Sequence, residues 1–305
     1  MKKKLKNNFN IKFLHKTCVA CGSENFGETV KLTKTKIKMF NKYDQDYYNG
    51  ALSTIFHKND CHLLKCSKCN HIQYANKFSK NSLNKMYQAH YEVKVSKLKK
   101  SKSSIKELQH VSVNLLHRLY KITKKKNPDL LDFGAGAGLW SKAAISAGFN
   151  VTAYGPNSIR VDPKIQFVEN WKDIENKKYD IIVCNQVLEH LSEPFLAVQQ
   201  LLHVSHDKTL LYFSVPNVGK YSFKKITHDW PYNGTGNHII APFQHLNGFN
   251  MKSMIKLLNN NNLRVSVKAH LSLGIFGWSR IFAFWIGRYI PRFSTTTLIF
   301  KKAKK

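Results

Sequence analysis

Leu130-Leu131-Asp132-Phe133-Gly134-Ala135-Gly136-Ala137-Gly138-Leu139-Trp140 is the stretch that decides the fold. Asp129 to Phe133 is short and mostly apolar, as a strand covered on both faces should be. Gly134, Gly136 and Gly138 then let the backbone turn tightly and approach a ligand closely. Trp140 to Ala147 reads as a helix that Gly148 stops. Strand, glycine turn and helix together form a common cradle for a nucleotide-like cofactor. The triplet alone also suits a plain strand-to-helix turn, so the rest of the chain has to narrow the reading.

Working outward, apolar runs alternate with helical ones. Phe149 to Tyr154, Lys164 to Val168 and Tyr179 to Cys184 read as strands two to four. Glu193 to Val204 reads as a helix with Pro194 in its first turn. Thr209 to Val215 is a fifth strand, Met251 to Leu258 a helix, Leu263 to Ala269 a sixth strand and Thr296 to Phe300 a seventh. Such alternation predicts an α/β fold with a doubly wound, mainly parallel sheet. Ligands of such sheets bind outside the carboxyl ends of the strands. The long segment from Val218 to Gly248 shows no helix or strand pattern, and a loop of that length is usually functional; its aromatics Trp230 and Tyr232 are expected to stack on an acceptor ring.

The glycine spacing is G-x-G-x-G, with Asp132 two residues before the first glycine, and not the dinucleotide pattern G-x-G-x-x-G. It resembles motif I of class I S-adenosylmethionine-dependent methyltransferases. The run from Tyr179 to Pro194, with Val187-Leu188-Glu189-His190-Leu191, resembles the fourth-strand motif of the small-molecule members. Phe243 to Phe249 resembles their His-containing segment before the penultimate helix. The resemblance implies a Rossmann-like seven-stranded sheet and S-adenosylmethionine as cofactor. It implies that Asp132, Gly134, Gly136 and Gly138 hold the methionine and ribose portions. Asn185, Gln186 and Val187 would lie under the cofactor, and Asn170 and Trp171 would meet the adenine. The family usually has an acid at the end of strand two for the ribose hydroxyls. Gly155 stands there instead, and Asn157 and Asp162 are the nearest replacements.

Upstream, Cys18-Val19-Ala20-Cys21 and Cys66-Ser67-Lys68-Cys69 are two Cys-x-x-Cys knuckles. Four thiolates so paired suit tetrahedral structural zinc. Unrelated cysteines or disulfides are the alternatives, and six cysteines without a secretory leader argue against disulfides. Cys61, His57, His62 and His71 are nearby alternative ligands, while Cys184 reads as a buried strand residue. The knuckles, followed by Leu83 to Tyr91, resemble the N-terminal zinc-binding region of Methyltransf_23-type methyltransferases and of sugar C-methyltransferases. The expected organisation is a zinc-ribbon region over 1–82, a helical linker over 83–127 and a methyltransferase domain over 128–305.

The chain has 305 residues and a formal net charge of +31, denser in its first third. That excess fits either a phosphate-bearing partner or a compositional bias toward Lys and Asn. No run of about 18 uncharged apolar residues exists, and no convincing signal peptide either. A cytoplasmic protein is therefore expected. Ile275 to Phe293 is apolar and aromatic with interspersed Arg. It suits a helix packed on the sheet or, alternatively, one lying on a membrane surface.

For proton removal, His190 and His245 are the candidate bases, with His238 and Glu189 beside them, because imidazole titrates near neutrality. The expected reaction is methyl transfer to a small-molecule acceptor: a sugar, a nucleotide-sugar or a lipid-linked precursor. Two other readings stay open. One is RNA methylation, suggested by zinc and charge. Against it, Cys184-Asn185-Gln186-Val187 lacks the Asn/Asp-Pro-Pro-aromatic motif of amino-group methylation. The other is a cofactor-binding protein without catalysis, suggested by Gly155.

Overall fold

The computed structural model describes residues 13–32, 37–50, 52, 61–77, 83, 86, 120–121, 123–155, 165–231, 239–240, 244–265 and 295–303. His57, Tyr232, His238, Asn157, Asp162, most of the expected linker and the whole of 275–293 lie outside them.

The N-terminal region is strand-rich. It comprises β1 (Phe13–Leu14), β2 (Phe26–Leu32), helix α1 (Ile37–Tyr48), β3 (Cys61–Cys66), β4 (Ile72–Tyr74) and β5 (Asn76–Lys77). The glycine-turn domain follows with β6 (Asp129–Phe133), α2 (Leu139–Ser146), β7 (Asn150–Tyr154), β8 (Phe167–Val168) and β9 (Tyr179–Asn185). Then come α3 (Pro194–His203), β10 (Ser205–Pro216), α4 (Phe223–Asp229), β11 (Asn247–Gly248), α5 (Met251–Asn259), β12 (Leu263–Val265) and β13 (Thr295–Lys302).

Seven strands form the main sheet in the order β12-β13-β10-β9-β6-β7-β8. The pairs β10–β9, β9–β6, β6–β7 and β7–β8 are parallel. β13 runs antiparallel between β10 and β12. The chain leaves β6 to one side for β7 and β8, then returns to β9 on the other. The switch point therefore lies between β6 and β9, where ligands of such sheets bind. β9 shows why the sheet forms: Tyr179 to Cys184 are all buried, as a strand with helices on both faces requires.

The helices begin where the sequence signals them. Pro194 occupies the first turn of α3. Asn250 and Ser253 form a reciprocal capping box at α5, each side chain bonding the other's backbone N–H.

Two expectations need correction. Strand three, expected from Lys164, is confined among the described residues to Phe167–Val168, a sheet edge paired on one side only. The segment Val218 to Gly248, expected to lack regular structure, holds a 3₁₀ turn over Val218–Lys220, the helix α4 and the strand β11. α4 is capped by Ser222, whose hydroxyl accepts from the Lys225 N–H at 3.1 Å. It is too short to show helical periodicity. β11 exists only through its partner, because Asn247 and Gly248 pair with Gln73 and Ile72 of β4. It is the outer strand of the four-stranded sheet β11-β4-β3-β2.

The two regions thus share both backbone pairing and core. Val218, Phe223, Ile226, Trp230, Ile240 and Leu246 pack with Phe40, Tyr43, Leu63 and Tyr74 of the N-terminal region. Cys18, Ala20, Cys66 and Cys69 belong to the same buried cluster as Phe249, Met254 and Leu257.

One side chain concentrates the contact. Asn247 donates to the carbonyls of Leu191 at 2.6 Å and Leu188 at 3.3 Å, and its Oδ1 meets His71 Nε2 at 3.3 Å. Losing a buried hydrogen-bonding group leaves its partners unsatisfied, at about 1–3 kcal/mol each. Asn247→Ala should therefore lower the unfolding free energy by about 2–4 kcal/mol in urea titrations, against under about 0.5 kcal/mol for an exposed substitution such as Lys252→Ala.

Candidate functional site

The glycine turn is built by backbone geometry. Gly134, Gly136 and Gly138 all have positive φ, at 74°, 55° and 84°. The turn hangs on β7: the N–H groups of Gly134 and Ala135 both donate to the Tyr154 carbonyl, at 2.8 and 3.0 Å. The three positions have different neighbours. A Cβ on Gly134 would stand 2.5 Å from Val187 Cγ2, and one on Gly138 would stand 3.0 Å from Ile165 and Phe167. A Cβ on Gly136 would meet nothing within 4 Å. Gly134 and Gly138 are thus required for packing, and Gly136 faces open space beside the turn.

Asp132 lies directly beneath. It is buried, and Ser141 Oγ donates to its Oδ2 at 2.6 Å. Loss of solvent pushes its carboxyl up to about 6, against a smaller lowering by the Ser141 hydrogen bonds. A buried carboxylate with one short hydroxyl partner has acceptor capacity left for a cationic group.

Trp171 stands edge-on to Tyr154 at 5.4 Å and to Phe133 at 6.3 Å. Phe133 in turn stacks on Tyr154 at 5.4 Å. This aromatic corner joins the ends of β6 and β7 to the 3₁₀ turn Trp171–Asp173. Asn170 caps that turn, accepting from the Lys172 N–H at 3.2 Å. Gly155 closes the corner with φ 156° and would place a Cβ 3.6 Å from Ala135 N. That distance is an ordinary contact, but the φ is one that L side chains rarely adopt.

At the end of β9, Asn185 is half-buried. Gln186 takes φ 55°, unusual for a non-glycine residue, with its N–H held by the Ser214 carbonyl at 2.8 Å. That kink sends Val187 back onto Gly134 and starts the turn Leu188–His190. The cofactor candidates therefore divide. Asp132, the three glycines, Val187 and Trp171 line one continuous edge of the sheet with Asn185 and Gln186. Asn170 is exposed at its rim.

Beyond Val187, the structure brings together His190 and His245, whose rings meet edge-to-face at 4.8 Å. His190 Nδ1 contacts the Gln244 carbonyl, and His245 Nδ1 the Ile239 carbonyl at 3.0 Å. Glu189, at 1% exposure, has neither carboxylate oxygen hydrogen-bonded to another described residue, and burial pushes its pKa up to about 8. The nearest group of opposite charge type is His190 Nε2, 3.8 Å from Oε1. Trp230, expected to face an acceptor, is fully buried. Its indole N–H donates to the Tyr74 hydroxyl at 2.6 Å, and its ring packs near Phe40.

The four knuckle cysteines converge as the spacing implies. Cys18 Sγ and Cys69 Sγ stand 3.6 Å apart, as do Cys21 Sγ and Cys66 Sγ, and all are unbridged. Thiolates about 2.3 Å from a tetrahedral zinc would be roughly 3.8 Å apart, so the set fits zinc. Backbone amides of Ala20 and Cys21 approach the Cys18 sulfur, and that of His71 approaches Cys69. Of the alternatives, His71 is turned toward Asn247, and Cys61 lies in the separate cluster around Phe40.

Asn247 and Ser141 had no sequence signature. Ser141 could have been found as the residue one helical turn into α2 facing Asp132. Asn247 could not, because its partners come from two distant segments.

Comparison with known proteins agrees with this geometry. A family model described as a methyltransferase domain matches residues 105–266, just over half of the chain. A ubiquinone biosynthesis O-methyltransferase of Actinobacillus pleuropneumoniae is 28% identical over 122 residues, 33% of this chain and 52% of that protein. One from Nitrosospira multiformis is 24% identical over 160 residues, 46% of this chain and 66% of that protein. The chain thus spans about half to two thirds of these relatives' length. In fold, it is similar to the plantazolicin methyltransferase BpumL, solved with a monoazolic desmethylPZN analogue and S-adenosylhomocysteine. The TM-score is 0.50 at 14% identity, covering 73% of this chain and 94% of that one.

Asp132 yields a stability test. Its folded pKa, about 6, lies above the unfolded 3.8. The folded state therefore binds the proton more tightly, and this group's contribution to stability falls as pH rises between about 4 and 6. Above that window the charged, buried form costs about 3 kcal/mol. Asp132→Asn should raise the stability of the ligand-free protein at pH 7 by about 1–3 kcal/mol and flatten its pH dependence between 4 and 6, as read by thermal melts. The same variant should bind S-adenosylhomocysteine more weakly in calorimetry.

Proposed function

Because this chain belongs to the methyltransferase-domain family, we propose that it is an S-adenosylmethionine-dependent methyltransferase that methylates a hydroxyl oxygen of a small-molecule acceptor. The observation that carries this reading is the pairing of Glu189, His190 and His245 immediately beyond Val187, the residue that packs on the glycine turn. Groups able to take a proton stand next to the cofactor edge, as transfer to a hydroxyl requires. Likeness to ubiquinone biosynthesis O-methyltransferases supports oxygen as the methylated atom. The acceptor proposed is a sugar, a nucleotide-sugar or a lipid-linked precursor.

When bound, S-adenosylmethionine supplies a methyl carbon on a good leaving group. The chain's residues supply position. Asp132 would hold the ammonium end, directly or through water, and the backbone of Gly134 to Gly138 would follow the methionine and ribose. Trp171 and Asn170 would border the adenine, and Asn185 to Val187 would form the floor. Gly155 leaves the ribose without the usual acid. Charge-assisted hydrogen bonds contribute roughly 1.5–3 kcal/mol each, so looser cofactor binding than in acid-bearing members is expected. His190 or His245 would take the acceptor proton.

The four thiols of Cys18, Cys21, Cys66 and Cys69 would hold one structural zinc ion. The zinc-ribbon region, residues 1–82 of the proposed division, would then support the active-site turn through Asn247. The helical linker over 83–127 and the domain over 128–305 complete that division. Soluble, cytoplasmic function suits the described helices, none of which is long and apolar enough to cross a membrane.

Methyl transfer from radiolabelled S-adenosylmethionine into a panel of phenolic, sugar and nucleotide-sugar acceptors tests the reading. Label in a hydroxyl-bearing small molecule is expected. Salt-sensitive labelling of RNA alone would overturn it. With an acceptor in hand, Gly136→Val should abolish turnover by filling the space beside the turn. His190→Ala or His245→Ala should lower kcat roughly 10²–10⁴-fold with S-adenosylhomocysteine affinity little changed. Elemental analysis should find zinc, and its removal should lower the melting temperature of the whole described unit.

A further inference from the structure

We infer that Glu189, His190 and His245 form a binding site for a divalent first-row transition-metal cation beside the cofactor edge, distinct from the four-thiol knuckle. One ligand atom from each residue lies within 4.8 Å of the other two. Two imidazoles and a carboxylate make a nitrogen-rich set. Such a set suits manganese, iron, cobalt, nickel or zinc better than magnesium or calcium, which take oxygen ligands.

The carboxylate is the independent observation. Among the described residues both Glu189 oxygens are buried with no partner beyond a contact to the residue's own N–H. Buried polar side chains are nearly always satisfied, and a buried charge is paired or coordinates a metal. Among the described residues no Lys or Arg pairs with Glu189, only His190 at 3.8 Å. An ion between them would satisfy the carboxylate.

The histidines are oriented as metal ligands are. Each directs Nδ1 at a backbone carbonyl, His190 at Gln244 and His245 at Ile239. A ligating histidine almost always gives its other ring N–H to such an acceptor, which fixes the tautomer and aims the remaining nitrogen. Ligand distances near 2.0–2.2 Å need the three groups to close by roughly half an ångström, within the reach of side-chain rotation.

The site is also anchored from outside. His190 lies on the turn whose carbonyls, at Leu188 and Leu191, are tied to Asn247. His245 lies two residues before Asn247, just upstream of β11. The two histidines are therefore held at a fixed separation by the strand pairing of β11 with β4.

This deepens the reading of an oxygen acceptor and rests on it for its role. A cation here would hold an acceptor hydroxyl and lower its pKa, with the released proton passing to water. The two histidines would then act as ligands in place of the proton-taking role proposed above, and their replacement lowers turnover on either account.

The test measures the metal alone on the full-length, zinc-loaded protein. Equilibrium dialysis with Mn²⁺ and Co²⁺ should find one further equivalent per chain beyond the zinc. Glu189→Gln, His190→Gln and His245→Gln should each weaken that equivalent at least tenfold, with zinc content and S-adenosylhomocysteine binding retained as proof of folding. The Co²⁺ absorption spectrum should report nitrogen and oxygen ligation without sulfur. Binding of no further equivalent by wild type, or equal binding by wild type and all three variants, would overturn the site. A variant that loses S-adenosylhomocysteine binding is replaced by His245→Asn, for which the same loss of metal is expected. Metal bound in this way without methylation of any hydroxyl would leave the site standing and refute the oxygen acceptor.

Discussion

The amide of Asn247 is the point on which the two regions depend. It reaches His71, beside the thiol knuckle, with one end and the Leu188–Leu191 turn with the other. A side-chain amide has both a donor and an acceptor end, so a single residue can tie two otherwise unrelated turns. An aspartate would lose the donors to the two carbonyls, and a leucine would lose everything. Around it, Asn250 repeats the device, capping α5 while donating to the carbonyls of Cys69 and Asn70. The knuckle carbonyls are thus satisfied by the segment that also starts α5. Geometry at the thiols is transmitted to the residues beside the glycine turn through hydrogen bonds only two or three residues long.

Elements whose signals are local were legible in the sequence. The glycine turn, β9 and the cap of α5 each follow from a short pattern: positive-φ glycines, a run of apolar residues, a capping asparagine. The four thiols were legible because spacing within each Cys-x-x-Cys pair is fixed by one metal. What was missed depends on distant partners. β11 has no strand pattern, since two residues, one of them glycine, become a strand only when β4 lies alongside. Trp230 looked like a recognition residue because an aromatic in a long loop usually is. Its indole N–H instead meets the Tyr74 hydroxyl, more than 150 positions away in sequence.

The candidate site shows the same division. Asp132 and the glycines are named by motif, yet their separate duties are visible only in three dimensions. Gly134 is required by Val187, Gly138 by Phe167, and Gly136 by neither. Gly155, which looked like a missing acid, has a backbone reason to be glycine, because its φ of 156° is one that L side chains rarely adopt. The departure at strand two is therefore coupled to the backbone conformation that follows β7.

The pairing of β11 with β4 has a consequence for synthesis. Residues of β4 leave the ribosome some 170 positions before their partner, since Ile72 waits for Gly248 and Gln73 for Asn247. Until then β4 is an open sheet edge, and its residues Ile72 and Tyr74 lack the part of their cover that Val218, Trp230 and Leu246 supply in the finished protein. Open apolar edges recruit other strands, and contacts so distant in sequence form slowly. The nascent N-terminal region is accordingly the part of this chain most exposed to aggregation. A truncated product ending before residue 247 would keep that edge permanently open, as a template for self-association.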